Sequence, residues 1–259
     1  MSMIRSRQHP LVREWAALGR SPRHCRKLGR TILDGVHLAQ AYPGPVRAVL
    51  VSQSGATHPE IVPLLSDKSW PEALILEDTL FVSCASVKSP VGIALLVDIP
   101  NTPLPEKFSG ACLWLERIQD PGNLGTLMRS AAGAGVRRVL LSSGCAQAWS
   151  PKVLRAGMGA HFALTVHEDV PLDWLSGHYE GRILAATLTM PSRPYHEEDL
   201  RGDVAFVVGN EGMGLSSESL ALTHGRVHIP MERGVESLNA AVAGSLLMFE
   251  RHRQLMSRP

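Results

Sequence analysis

ERIQDPGNLGTLMRSAAGAGV, residues 116–136, runs from the end of an apolar strand through a tight turn into a helix. The strand is ACLWLERI, 111–118, and Asp120, Pro121 and Gly122 are turn formers. Asn123 stands where its side chain can cap the helix over 123–134, and Arg129 follows six residues later, nearly two turns up. The run of small residues Ala131, Ala132, Gly133, Ala134 and Gly135 allows another element to pack very close. A strand feeding a helix in this way is the building unit of a parallel α/β sheet. Taken alone, the segment also fits an ordinary capped helix carrying one solvent-facing arginine.

The alternation continues on both sides. Downstream, strands are predicted at 137–142, 163–167, 182–188, 203–209 and 226–231, with a helix at 150–158 and a long C-terminal helix at 237–254. Upstream, IPNTPLPEKFSG at 99–110 sets three prolines between two apolar strands and is predicted to be a linker. Before it, helices are expected at 10–18, 58–66 and 78–85 and strands at 46–52, 73–77 and 91–98, with TILDGVHLAQAY starting as strand and turning helical near Gly35. The predicted architecture is therefore two α/β domains, residues 1–98 and 111–259, joined by that linker.

A chain of 259 residues with 44% hydrophobic and 19% charged content can fill two cores. Its net charge of +2 is uninformative, but the distribution is not. Residues 1–30 hold Arg5, Arg7, Arg13, Arg20, Arg23, Arg26, Lys27 and Arg30 against Glu14 alone, a polycation suited to backbone phosphates. Cys25, Cys84, Cys112 and Cys145 form no C-x-x-C pair and lie at no metal-ligand spacing, so neither a disulfide framework nor a metal is expected. The chain offers no apolar h-region behind its basic start and no apolar run long enough to span a bilayer, so a cytoplasmic protein without membrane association is expected.

Two further segments carry candidate chemistry. VVGNEGMGL, 207–215, ends a buried strand at Gly209 and adds Gly212 and Gly214 around Glu211. Glycines there let backbone approach a ligand, at the strand ends where open α/β sheets bind. By spacing it is neither the dinucleotide fingerprint nor a P-loop. HIPMERGVESLNAAVAGSLLMFE, 228–250, leaves a strand at Pro230 and enters a helix opened by Ser237, with Asn239 in its first turn.

The ordered set N-x5-R, G-N-E-G-x-G and I-P-M…S-L-N resembles the three motifs of the SpoU (TrmH) family of RNA ribose 2′-O-methyltransferases, across about 110–255. Residues 1–98 are similar to the ribosomal-protein-like substrate-binding domain of its ribosomal-RNA branch, through the basic start, LDGVHL and SVKSPVGI. The resemblance implies a C-terminal parallel sheet tied in a trefoil knot, S-adenosylmethionine as cofactor, a homodimer whose active site draws on both subunits, and ribosomal RNA as substrate. It implies cofactor contacts at Gly209, Ile229 and Leu238, with Thr187 and Met231 nearby. It places Arg129 in the reaction centre. The family's usual proposal makes it the base, yet a guanidinium stays charged at any ordinary pH. Anchoring phosphate and stabilising a developing alkoxide suits it better. The same resemblance has Asn123 position Arg129 or the ribose, Glu211 orient Arg129 or loop amides, and Ser237 and Asn239 bond the sugar–phosphate. The Ala/Gly-rich faces of the two flanking helices are expected at the subunit interface. The rival readings are the same chemistry on tRNA, and an inactive RNA-binding or ribosome-assembly protein. The first is disfavoured by the N-terminal domain, the second by the intact motifs.

Overall fold

The computed structural model describes residues 3–67, 70–87 and 89–257, so Lys88 of the SVKSPVGI stretch lies outside the described residues. These residues divide into two compact units. The first comprises 1–101 with 149–162, and the second comprises 102–148 with 163–259.

In the first unit, β1 (Arg30–Asp34), β2 (Val46–Ser52), β3 (Leu74–Leu76) and β4 (Ile93–Asp98) form a sheet in the order β1-β4-β2-β3. β4 runs antiparallel to both neighbours, while β2 and β3 are parallel. Helices α1 (Pro10–Arg20), α2 (Pro22–Leu28), α3 (Val36–Ala41), α4 (Ile61–Asp67) and α5 (Asp78–Cys84) accompany them. α2 was not expected: two basic side chains per turn hide its single buried contact, Cys25. Trp15 meets Phe81 edge-on at 4.6 Å in a core completed by Leu18, Ile32, Leu50 and Leu76.

The segment 149–162, assigned from sequence to the second domain, packs in the first unit. It contains α7 (Pro151–Gly157). Thr31 Oγ1 donates to the Trp149 carbonyl at 2.6 Å, Phe162 meets Tyr42 at 5.2 Å, and Gly159 lies where a Cβ would sit 3.0 Å from Ala41. Anchors so distant in sequence leave no local trace.

The second unit is a seven-stranded sheet of β5 (Cys112–Leu115), β6 (Arg138–Leu141), β7 (Thr165–His167), β8 (Arg182–Ala186), β9 (Arg193–Pro194), β10 (Val204–Val208) and β11 (Gly225–His228). Their order is β7-β6-β5-β10-β8-β11-β9 and every pairing is parallel. β5 and β10 are buried throughout, as expected for strands covered on both faces. Side chains alternate between the faces. Trp114, Ala205 and Val207 face α8 (Leu172–His178), while Val208 meets α10 (Ala240–Met256), which packs on α6 (Pro121–Gly133). The short α9 (Ser217–Ala221) follows β10. The expected linker is anchored at its far end. Phe108 is buried between Trp174 and Tyr179, and its amide donates to the His178 carbonyl at 3.0 Å.

Candidate active site

Three loops leaving the carboxyl ends of β8, β10 and β11 enclose a cavity of about 420 Å³, a size suited to a nucleoside-bearing cofactor. Thr187, Gly209, Ile229, Met231 and Leu238, the five residues expected to meet a cofactor, all line it. Val208, Val227 and Leu247 add apolar wall, and Glu211 and Glu236 bring carboxylates to the same space. That combination, an apolar slot for a base with acidic groups beside it, fits a positively charged sulfonium bearing an adenosyl group. Among the described residues no cluster of metal-ligating side chains occurs.

The loops are held by their own backbone. At Gly209 a Cβ would come within 2.4 Å of the Gly214 carbonyl carbon, so the glycine is required by the chain folding back on itself. Asn210 makes that fold. Its Oδ1 accepts from the amides of Gly212 (2.9 Å) and Met213 (3.1 Å), and its Nδ2 donates to the Arg117 carbonyl at 2.8 Å. Arg117 holds φ 50°, a left-handed conformation uncommon for a residue with a Cβ. The Asn210 bond and a second from its own amide to Ser142 Oγ at 3.0 Å fix it there. The buried Glu116 accepts from the Ser216 amide at 3.0 Å and closes the far side of the loop. Neither role was expected. An Asn two residues before a Gly is the one local signal for the first.

A polar chain joins the three motifs. Asn123 Nδ2 donates to Glu211 Oε1 at 2.7 Å, Asn239 Nδ2 donates to Asn123 Oδ1 at 2.9 Å, and Asn239 Oδ1 accepts from the amides of Ala241 and Val242. Two expectations are corrected here. The cap of α6 is Asp120, whose Oδ1 accepts from the Asn123 amide at 2.7 Å, because Pro121 occupies the first helical position and leaves Asn123 inside the helix. The cap of α10 is Asn239, two residues after Ser237, which lies in the preceding loop and lines the cavity.

Arg129 stands apart. It is exposed, about 9 Å along α6 and about 120° around it from Asn123. Among the described residues no hydrogen bond or ion pair engages it. Within one chain Glu211 and Asn123 therefore hold each other, and neither orients Arg129.

The small residues of the two helices divide: Ala131, Ala134, Ala240, Ala241 and Gly244 are buried within the chain, while Gly133 and Gly135 are exposed. At Gly244 a Cβ would lie 2.5 Å from Leu127 Cδ2. α10 leaves exposed the stripe Val242, Leu246 and Phe249, with Leu255 and Met256 at its end, and Phe249 Cζ lies 3.5 Å from the Cβ position of Gly133 on α6.

Residues 110–249 match the model of the SpoU rRNA Methylase family. The chain is 31% identical, over 98% of its length and 94% of the relative's, to a tRNA/rRNA methyltransferase of Synechocystis named as uncharacterised. It is 30% identical, over 96% of its length and 98% of the relative's, to the 23S rRNA guanosine 2′-O-methyltransferase RlmP of Bacillus subtilis. Among solved structures, an RNA 2′-O ribose methyltransferase superposes with a TM-score of 0.81 at 28% identity, covering 98% of this chain and all of the other.

Proposed function

The chain belongs to the SpoU rRNA methylase family, and from that premise we propose that it transfers a methyl group from S-adenosylmethionine to a ribose 2′-hydroxyl of ribosomal RNA. The observation that carries the reading is the polar chain Glu211–Asn123–Asn239 set at the mouth of an apolar, acid-flanked cavity. Full-length similarity to a 23S rRNA 2′-O-methyltransferase supports ribosomal RNA.

Thr187, Gly209, Ile229, Met231 and Leu238 hold the cofactor, which supplies an electrophilic methyl group when bound. Ile229 and Leu238 enclose the base, and Glu211 and Glu236 favour the positive charge. Ser237 and Asn239 bond the sugar–phosphate of the target nucleotide, with Asn123 and Glu211 fixing the Asn239 amide. Holding the 2′-oxygen in line supplies on the order of 7–11 kcal/mol of the barrier.

The protein acts as a homodimer. The exposed stripe Val242, Leu246 and Phe249 reaches Gly133, one turn along α6 from exposed Arg129, so pairing α6 and α10 of two copies covers the stripe and carries each arginine toward the other copy's cavity. Arg129 of the partner subunit then anchors the target phosphate and stabilises the forming alkoxide. The C-terminal segment is tied in a trefoil knot. Insertion of β10 between β5 and β8, followed by β11 and α10, supports that topology. Residues 1–98 bind RNA through their basic surface, residues 111–259 carry the chemistry, and the protein works in the cytoplasm. Among the described residues no helix is long and apolar enough to cross a membrane.

The test is to map 2′-O-methyl groups in ribosomal RNA from cells with and without the protein, and to reproduce the lost mark with purified protein and S-adenosylmethionine. One site restored is the expected result. An unchanged map, or no binding of the cofactor by calorimetry, overturns the reading.

A further inference from the structure

Met213 occupies the tip of the turn between β10 and α9, 71% exposed, and lines the cofactor cavity. A singly exposed apolar side chain needs no explanation in itself. Met213 differs because its backbone is pinned. Asn210 Oδ1 accepts its amide at 3.1 Å and that of Gly212 at 2.9 Å, the Gly214 amide donates to the Asn210 carbonyl at 2.9 Å, and Asn210 is itself fastened to Arg117. A rigid clamp thus holds a flexible thioether in solvent at the rim of the cavity. Leu188, 50% exposed and also lining the cavity, follows β8, the strand beside β10.

We propose that Met213, with Leu188, forms an apolar rest for the base of the nucleotide being methylated. The inference builds on the methyltransferase reading above. Its argument is one of position. Met213 lies two residues from Glu211, which is hydrogen-bonded into the Asn123–Asn239 chain that addresses the ribose. The base is joined to that ribose, so it must lie next to the same loop. Enzymes that act on a structured RNA splay the target nucleotide out of its stack, and the freed base needs a surface to replace its lost neighbours. A thioether is polarizable and packs against an aromatic face without demanding one base over another. The polar chain then fixes the sugar and the apolar rim fixes the base.

The experiment compares the wild type with Met213→Ala and Met213→Leu on an in vitro transcribed ribosomal RNA, and on a short RNA of the mapped site with and without an abasic target nucleotide. Cofactor affinity by calorimetry and subunit association by sedimentation are measured alongside. The expected result is that Met213→Ala lowers kcat/KM for RNA about fivefold to tenfold while cofactor Kd moves by less than about twofold. Met213→Leu recovers most of the loss, and the wild type and Met213→Ala become equal on abasic RNA. Unchanged kcat/KM, a matching loss of cofactor affinity, dissociation of the dimer, or an alanine effect that persists on abasic RNA would each overturn the proposal. A wild type that methylates no ribosomal RNA defeats the functional reading as well. An active wild type indifferent to Met213 defeats this proposal alone.

Discussion

Asn239 Nδ2 donates to Asn123 Oδ1 at 2.9 Å, joining residues 116 positions apart. With Asn123 Nδ2 spent on Glu211, each amide has one orientation that satisfies both of its neighbours. Asn123→Asp keeps the acceptor but replaces the donor with a carboxylate facing Glu211 at hydrogen-bond distance. Like charges so placed repel. Methyl transfer is expected to fall more in Asn123→Asp than in Asn123→Ala, and to recover when Glu211→Gln is added, since a glutamine can donate to the new carboxylate. Steady-state rates of the three variants check this. A double variant no faster than Asn123→Asp would refute the polar chain as a working unit.

Asn239 has two tasks that substitution separates. Its Oδ1 caps α10 and its Nδ2 reaches Asn123. Asn239→Ala loses both and should cost about 1 kcal/mol of stability by denaturant unfolding, together with activity. Asn239→Asp retains the capping oxygen and improves its match to the helix dipole, so stability is expected to hold while activity falls. Equal losses of stability in the two variants would assign Asn239 a capping role alone.

The strand–turn–helix run at 116–136 and the buried strand at 203–209 were legible because their signals are local: apolar runs, a Pro-Gly turn and small residues on one helix. The cavity-lining residues were legible only through the ordered set of three motifs, since nothing in Gly209, Ile229 or Leu238 taken singly predicts that β10 and β11 bring them together. What could not be read were partnerships across long sequence separations. Thr31 with Trp149 places α7 in the first unit, and Asn210 with Arg117 sets the loop at the cavity. The capping residue of both helices is not decided locally, for a related reason. Asp, Ser and Asn at neighbouring positions all cap well, and the choice among Asp120 and Asn123, or Ser237 and Asn239, is made by where the chain bends.

Arg129 is exposed and without a partner among the described residues, so Arg129→Ala should change stability by less than about 0.5 kcal/mol and leave cofactor affinity nearly unaltered while abolishing methyl transfer. If it serves the other copy's cavity, inactive Arg129→Ala mixed with an inactive cavity variant such as Leu238→Arg regains activity. Each mixed dimer then holds one site with an intact arginine and an intact cavity. Random exchange restores up to roughly a quarter of wild-type activity. Mixing that restores none places Arg129 in its own chain's site.

Asp34 is 7% exposed, its carboxylate accepting from the Ser86 amide at 3.3 Å and hydroxyl at 3.0 Å. Arg155 Nη1 donates to the same hydroxyl. Burial pushes the Asp34 carboxyl above its ordinary value of 3.8, against the opposing pull of Ser86 and Arg155. The folded state therefore takes up a proton before the unfolded state does. The carboxyl's contribution to stability is full below the unfolded value and is lost as pH rises through the folded one. Asp34→Asn, which keeps an accepting oxygen, should be at least as stable as the wild type near pH 7. That advantage should shrink as pH is lowered toward the ordinary aspartate value, where the wild type is also neutral. Urea unfolding at both ends of this range checks it, and an advantage that grows on acidification would reverse the sign assigned to burial.

The packing of 149–162 in the first unit decides how RNA binding must be tested. Deleting the N-terminal residues would strip Trp149 and Phe162 of their partners, so a truncated chain reports on folding rather than on RNA. The informative change is charge removal on the intact chain. Arg20, Arg23 and Lys27 are exposed on α1 and α2, and α2 carries no acidic residue. Each contact to a phosphate releases a condensed counterion, and its loss lowers the slope of log affinity against log salt by about 0.7–0.9. Changing all three to Gln is expected to weaken ribosomal RNA binding, to reduce that slope by about 2–3, and to leave cofactor affinity and unfolding midpoint in place. Filter binding between about 50 and 200 mM salt reads the slope directly. A triple variant with the wild-type slope would move the RNA surface away from these helices, because a phosphate contact cannot be lost without its counterion.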